Sequence, residues 1–208
     1  MTWPGPAEAV RGPARYGTVA IAFHWAVAAL VLGQLASGLW MSSAIRDPAR
    51  QHLAYEVFQL HKAFGLLVLL LMLARLAWRL GHPAPPLPAG TPRLHRLAAH
   101  LVHALLYGLT LAVPLLGWLM VSASPLGLPT VPFGLFEWPH LPVPAASAEM
   151  VEGAARLGHR LLAYLTAGLV ALHVAAALKH QFIDRDGLIG RMLPWSRRPA
   201  PASRLAAE

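Results

Sequence analysis

Four long apolar stretches divide this chain, at roughly Gly17–Met41, Val57–Leu80, Leu97–Ala123 and Gly158–Leu178. Each approaches or exceeds the ~20 residues an α-helix needs to cross a hydrocarbon layer of about 30 Å. No water is available there, so an isolated segment must satisfy its own N–H and C=O groups, and a helix does so. The expected fold class is therefore all-α, a transmembrane four-helix bundle. Composition agrees: 56% of the 208 residues are hydrophobic and 12% charged, against about 25% charged in soluble domains. Internal glycines (Gly33, Gly38, Gly65, Gly168) allow close helix packing, and Pro114 is positioned to kink the third helix.

Charge orients the spans. Arg11 and Arg15 precede the first, Arg75, Arg79, Arg93 and Arg96 flank the Pro-rich second connection, and Arg185, Arg191, Arg197, Arg198 and Arg204 fill the end of the chain. The third connection instead carries Glu137, Glu149 and Glu152 against Arg156. Basic segments favour the cytoplasm. The expected layout is a cytoplasmic N-terminal segment (1–16), a four-helix domain (17–180) and a basic cytoplasmic tail (181–208). The first and third connections then face outside. Met1–Gly17 has the polar, Pro/Gly-rich character of a cytoplasmic segment, not the apolar core of a signal peptide. The net charge of +8 reads as orientation and contact with anionic lipids, not nucleic-acid binding. With no cysteine, disulfides, iron–sulfur clusters and covalently attached haem are excluded.

Histidines supply the chemistry. His159 and His173 are fourteen residues apart in the fourth segment, within about 40° of one helix face and about 21 Å apart along it. His24 lies near the inner end of the first helix and His61 at the outer start of the second. The four therefore pair by depth, His24 with His173 inside and His61 with His159 outside. A single membrane histidine is readily a helix–helix hydrogen bonder. Zinc would need four ligands converging on one point, and a proton relay would recruit intramembrane carboxylates, absent from these apolar interiors. Two depth-matched imidazole pairs suit two haem irons between the helices, one toward each face.

The remaining histidines divide. His100 and His103 share the inner entry of the third helix, where they read either as interfacial residues or as contacts for a quinone carbonyl or a propionate. His180 reads as interfacial. His52, His82, His95 and His140 fall in connections and are assigned no role.

Several stretches carry a family signature: RYGTVAIAFHW (Arg15–Trp25), HKAFGLLVLLLMLARLAWRL (His61–Leu80), AHLVHALLYGLTLAVPLLGWLM (Ala99–Met120), PFGLFEWP (Pro132–Pro139) and the run from Gly158 to Pro194 containing LHVAAALKHQFIDRD. Together they resemble the bacterial cytochrome b561 family. The resemblance implies four helices, two haems b and electron exchange with ubiquinone. By motif, it assigns His24 and His173 to one haem and His61 and His159 to the other. Members of this family look like superoxide oxidases, which pass an electron from superoxide outside to ubiquinone. Bis-histidine ligation fills both axial positions of iron and favours outer-sphere electron transfer. Cations near the outer haem would attract an anion, and Arg46, Arg50, Lys62, Arg156 and Arg160 are the candidates, with partners of lipid headgroups or haem propionates as the alternative reading. Arg15, Arg75 and Arg79 are expected near the inner haem, as propionate partners or as the positive-inside signal alone.

The expected function is di-haem membrane electron transfer between a periplasmic one-electron donor, such as superoxide, and the ubiquinone pool. The alternative is an electron-carrying subunit of a separate dehydrogenase complex, and a non-redox alternative is a histidine-rich transporter. Expected partners are lipids, the quinone pool and a periplasmic donor. A partner dehydrogenase and a homodimer both remain open.

Overall fold

A computed structural model describes residues 15–87 and 90–195. Arg11, Arg197, Arg198 and Arg204 lie outside the described residues. The described residues form four long helices: α1 (Thr18–Ala44), α2 (Gln51–Gly81), α3 (Arg93–Ala123) and α4 (Ala148–Lys179). All four are long and apolar enough to cross a membrane. Many of their large apolar side chains face outward, with Leu32 55%, Leu70 50% and Leu172 55% exposed. A bundle in water would not leave so many exposed, whereas lipid tails cover them at no cost.

The helices overrun the apolar stretches where the flanking sequence permits. α4 begins at Ala148, ahead of its apolar run, because Ala148–Leu157 is rich in helix formers. Glu149 complements the positive N-terminal end of its dipole, and Arg156 pairs with Glu152 one turn away. Beyond Lys179 the chain makes one π-helical turn, His180–Asp184, stopped by Arg185 in the left-handed conformation at φ 51°. Pro114 leaves α3 continuous, although it deprives the Thr110 carbonyl of its usual donor.

The helices pack as two hairpins. α1 packs on α2 and α3 on α4, and the hairpins meet through α2 and α3. Neither α1 nor α2 makes an extensive backbone approach to α4, so a slot separates α4 from the first hairpin. The buried core holds the first hairpin together at mid-depth, with Val27 and Val31 of α1 against Val68 and Met72 of α2.

Each end of the slot has its own cover. At one end the α3–α4 connection folds back. Trp138 N donates to Thr130 O at 2.7 Å, Trp118 Nε1 to Pro139 O at 2.9 Å, and Phe133 stacks edge-on against Phe64 of α2 with centroids 5.2 Å apart. At the other end the segment after α4 lies against the start of α1. Trp25 Nε1 donates to Met192 O at 2.7 Å, Arg15 donates to the carbonyls of Leu193 and Pro194, and buried Arg191 donates to Pro86 O at 2.8 Å. These are the loop side and the terminal side below.

Between transmembrane helices there is no hydrophobic driving force, so packing itself carries stability. Met72, 2% exposed, should on change to Ala lose about 2 kcal/mol, read as earlier thermal unfolding in detergent. Leu73→Ala, on the 50% exposed lipid-facing surface, should leave the unfolding temperature nearly unchanged.

Candidate functional site

The slot contains two facing histidine pairs. His24 of α1 and His173 of α4 have ring centroids 6.3 Å apart with planes at 68°. His61 of α2 and His159 of α4 repeat the arrangement at 6.3 Å and 71°. α4 thus contributes one ring to each pair, and the two partners come from the two helices of the first hairpin.

On the loop side both rings are held from behind. His61 Nδ1 lies 3.0 Å from Ser37 Oγ, whose hydroxyl donates to the Gln34 carbonyl one turn earlier at 3.2 Å. Gln34 Nε2 in turn donates to the His61 backbone carbonyl at 2.9 Å. His159 Nδ1 lies 2.8 Å from the Val113 carbonyl. Glycines let the helices come this close. A Cβ on Gly38 would stand 3.2 Å from His61 Cε1, and one on Gly117 would stand 3.2 Å from both Cε1 and Nδ1 of His159. A cavity of about 300 Å³ adjoins the two rings and is lined also by Lys62 and Arg160. Lys62 is buried at 9% exposure. Its Nζ donates to Pro129 O at 2.6 Å and sits 5.2 Å from the centre of the Phe58 ring. Among the described residues no carboxylate pairs with it.

The terminal-side pair has different company. Arg75 Nη2 is 3.4 Å from His24 Nδ1, and its guanidinium lies 5.1 Å from the centre of the Tyr107 ring. His103 brings its ring to 5.5 Å from that of His173, and Trp25 stands edge-on to His24 at 5.3 Å. No hydrogen bond reaches either ring nitrogen of His173 among the described residues.

The other residues singled out from the sequence scatter. Arg15 grips the segment after α4. Arg79, His100, Arg46 and Arg160 are exposed, although Arg160 also lines the loop-side cavity. Arg50 pairs with Asp47 at 3.2 Å, and Arg156, another cavity-lining residue, pairs with Glu152. His180 bonds Asp186 at 2.6 Å, and Lys179 bonds Asp184 at 2.6 Å, capping the helix end. Ser37, Gln34, Gly117 and Tyr107 escape a reading based on histidines and cations. The available signal is that Gln34 and Ser37 are polar residues one turn apart inside an apolar helix, where a polar group needs a partner.

The pairs have the dimensions of a shared metal site. Two metal–imidazole bonds of about 2 Å each, with the inner halves of two rings of ordinary bond length, span about 6 Å, close to the 6.3 Å observed at both pairs. Two imidazoles on opposite sides of one metal match the axial positions of haem iron. The fit is fullest on the loop side, where the hydrogen bonds to Nδ1 leave Nε2 free. At His24 a metal on Nε2 requires the proton on Nδ1, so the Arg75 contact must be given up.

Comparison with known proteins agrees. Residues 15–195 match the model of the prokaryotic cytochrome b561 family. The chain is 38% identical to cytochrome b561 homolog 2 of Escherichia coli strain K12, covering 87% of this chain and 92% of that protein. It is 30% identical to the probable superoxide oxidase CybB of Yersinia pestis, covering 88% and 98%, and 35% identical to cytochrome b562 of Cereibacter sphaeroides, covering 86% and 94%. The chain belongs to the prokaryotic cytochrome b561 family. That membership, with four apolar helices, makes it a multi-pass inner-membrane electron-transfer protein that binds haem b.

Side chains at Gly38 and Gly117 would press on the loop-side rings. Gly117→Val should lower the haem bound per chain well below the wild-type ratio, and Gly117→Ala should lower it less. Gly33→Ala, with nothing within 4 Å of the added carbon, should leave the ratio unchanged; pyridine haemochrome analysis of purified protein reads all three.

Proposed function

We propose that this chain holds two haems b, one between His24 and His173 and one between His61 and His159, and carries electrons from a periplasmic one-electron donor to ubiquinone. The observation that carries this reading is the recurrence of one geometry, facing imidazoles 6.3 Å apart, at both ends of a single slot. Haem held between these histidine pairs would supply outer-sphere one-electron transfer.

The protein's own groups do the rest. α4 fixes the spacing of the two sites through its rigid rise. The loop side faces the periplasm, because the basic second connection and the basic stretch after α4 belong at the cytoplasmic face. Lys62 and Arg160, adjoining His61 and His159 in sequence and lining the loop-side cavity, receive propionates or draw in an anionic donor. Arg75 does the same for a propionate on the terminal side, and His103, beside His173, offers a hydrogen bond to a quinone carbonyl.

Superoxide fits the donor role. It is a small anion, the buried ammonium of Lys62 lacks a carboxylate partner among the described residues, and one of the relatives is itself a probable superoxide oxidase. The balance is simple. Two superoxide anions give up one electron each and leave as dioxygen, while ubiquinone takes the two electrons with two protons and leaves as ubiquinol.

Purified protein should contain close to two acid-acetone-extractable haems per chain. His173→Ala should remove the terminal-side haem alone and His159→Ala the loop-side haem alone; loss of the same haem from both variants would defeat the pairing. Superoxide from xanthine oxidase should reduce the haems and then a short-chain quinone. Both steps should be abolished by superoxide dismutase and slowed by salt, since screening shortens the reach of Lys62 and Arg160 to roughly 8 Å at physiological ionic strength. Haems that stay oxidised under superoxide but are reduced by a co-purifying dehydrogenase would identify an electron-carrying subunit instead.

A further inference from the structure

We propose that Ser37 and Arg75 are positioning residues that set the two haem potentials apart in opposite directions. Ser37 lowers the potential on the loop side and Arg75 raises it on the terminal side, so electrons are drawn inward along α4. This rests on the two-haem reading above.

The loop-side argument begins with a single hydrogen. The Ser37 hydroxyl has one proton and two neighbours, the Gln34 carbonyl at 3.2 Å and His61 Nδ1 at 3.0 Å. A carbonyl can only accept, so the hydroxyl donates to Gln34, and His61 Nδ1 must donate to Ser37 Oγ. His159 Nδ1 faces the Val113 carbonyl at 2.8 Å and must likewise donate. Both rings are thereby fixed with Nδ1–H pointing away from the slot and the Nε2 lone pair available. An acceptor on Nδ1–H makes the imidazole a stronger base toward its metal. That stabilises the more positive oxidised iron over the reduced one. The Ser37 oxygen is a better acceptor because its own O–H is already committed to Gln34. Gln34 in turn is fixed by its bond to the His61 carbonyl at 2.9 Å.

The terminal side reverses each element. The group nearest His24 Nδ1 is Arg75, at 3.4 Å, a guanidinium with five donors and no acceptor. It cannot take the Nδ1 proton; with a metal on Nε2 that hydrogen bond is given up, and what Arg75 then contributes is its positive charge beside the pair, which opposes extra positive charge on the iron. His173 has no hydrogen bond to either ring nitrogen among the described residues. Among the described residues no carboxylate forms an ion pair with Arg75, whose guanidinium lies against His24 and the Tyr107 ring and acts also on His103 and His173. A cation in a poorly solvated slot is weakly screened, so its effect on a neighbouring metal is strong. Two sites with the same ligands and the same ring separation thus differ in the charge and acceptor power behind the rings. The difference runs downhill for an electron moving from the loop side to the terminal side.

The test is an equilibrium redox titration of purified, haem-loaded wild type, Ser37→Ala, Ser37→Thr and Arg75→Gln, with haem content measured on each. Ser37→Ala should keep two haems per chain and raise the potential of the lower-potential haem. At fixed ambient potential its reduced-to-oxidised ratio should increase several-fold, a tenfold change being about 59 mV for one electron. Ser37→Thr, which keeps the hydroxyl, should restore the wild-type value; a side chain that merely fills space would not distinguish Thr from Ala in this way. Arg75→Gln should move the other, higher-potential haem downward. Should Ser37→Ala fail to assemble, Ser37→Cys, with its weaker acceptor, should give a smaller shift in the same direction. Two haems whose potentials stay put in Ser37→Ala, shifts of the same haem by the Ser37 and Arg75 variants, or Thr behaving as Ala would each overturn this proposal while leaving the two-haem reading intact. One haem or none in the wild type would overturn both.

Discussion

Everything in this bundle is arranged around a slot that α4 keeps open against the first hairpin. Four close-packed helices would normally bury their seams, yet here α4 approaches the first hairpin through Val170, which packs on its core, and through ring pairs held 6.3 Å apart. Imidazoles in hydrocarbon need partners, and a gap of that size is too wide for a direct hydrogen bond between the nitrogens that face it. The two hairpins, the glycines behind the loop-side rings and the covers at each end all follow from keeping that gap at fixed width.

The two ends solve the same geometric problem with different chemistry. At the loop side the rings are backed by backbone, a hydroxyl and flush glycines, which fix orientation and leave the metal-facing nitrogens free. At the terminal side they are backed by a guanidinium and a third histidine. Repetition of the ligands therefore does not imply equivalence of the sites. The structure makes them alike in ring separation and unlike in the groups behind the rings.

Much of this was legible in the sequence. Span number follows from the length of the apolar runs, because hydrocarbon thickness is a fixed ruler. Which histidines can face one another follows from counting at 1.5 Å per residue, and His24 does lie beside His173 and His61 beside His159. What escaped is what depends on neighbours remote in the chain. Ser37 looks like an ordinary serine until α2 brings His61 behind it, and Gly117 has no turn or repeat to mark it. The Val113 carbonyl, being backbone, has no sequence signature at all. The basic residues were the hardest to sort, since Arg15, Arg75 and Arg79 all satisfy the same positive-inside rule. Only the fold separates Arg75 in the slot from Arg15 at the segment after α4 and Arg79 on the exposed surface.

That segment after α4 also bears on how the protein is built. Trp25, the neighbour of His24, is tied to Met192, and Arg191 reaches across to Pro86. These bonds join the first helix and the second connection to residues synthesised after all four helices. During translation the terminal end of the slot consequently stays uncovered until the last helix has been inserted, and its closure is a late event in biogenesis. The loop side is sealed by a connection made before α4 exists. The two covers are thus made in a fixed order, the loop-side one before α4 and the terminal-side one after it, while both pairs wait for α4 to supply their second ring.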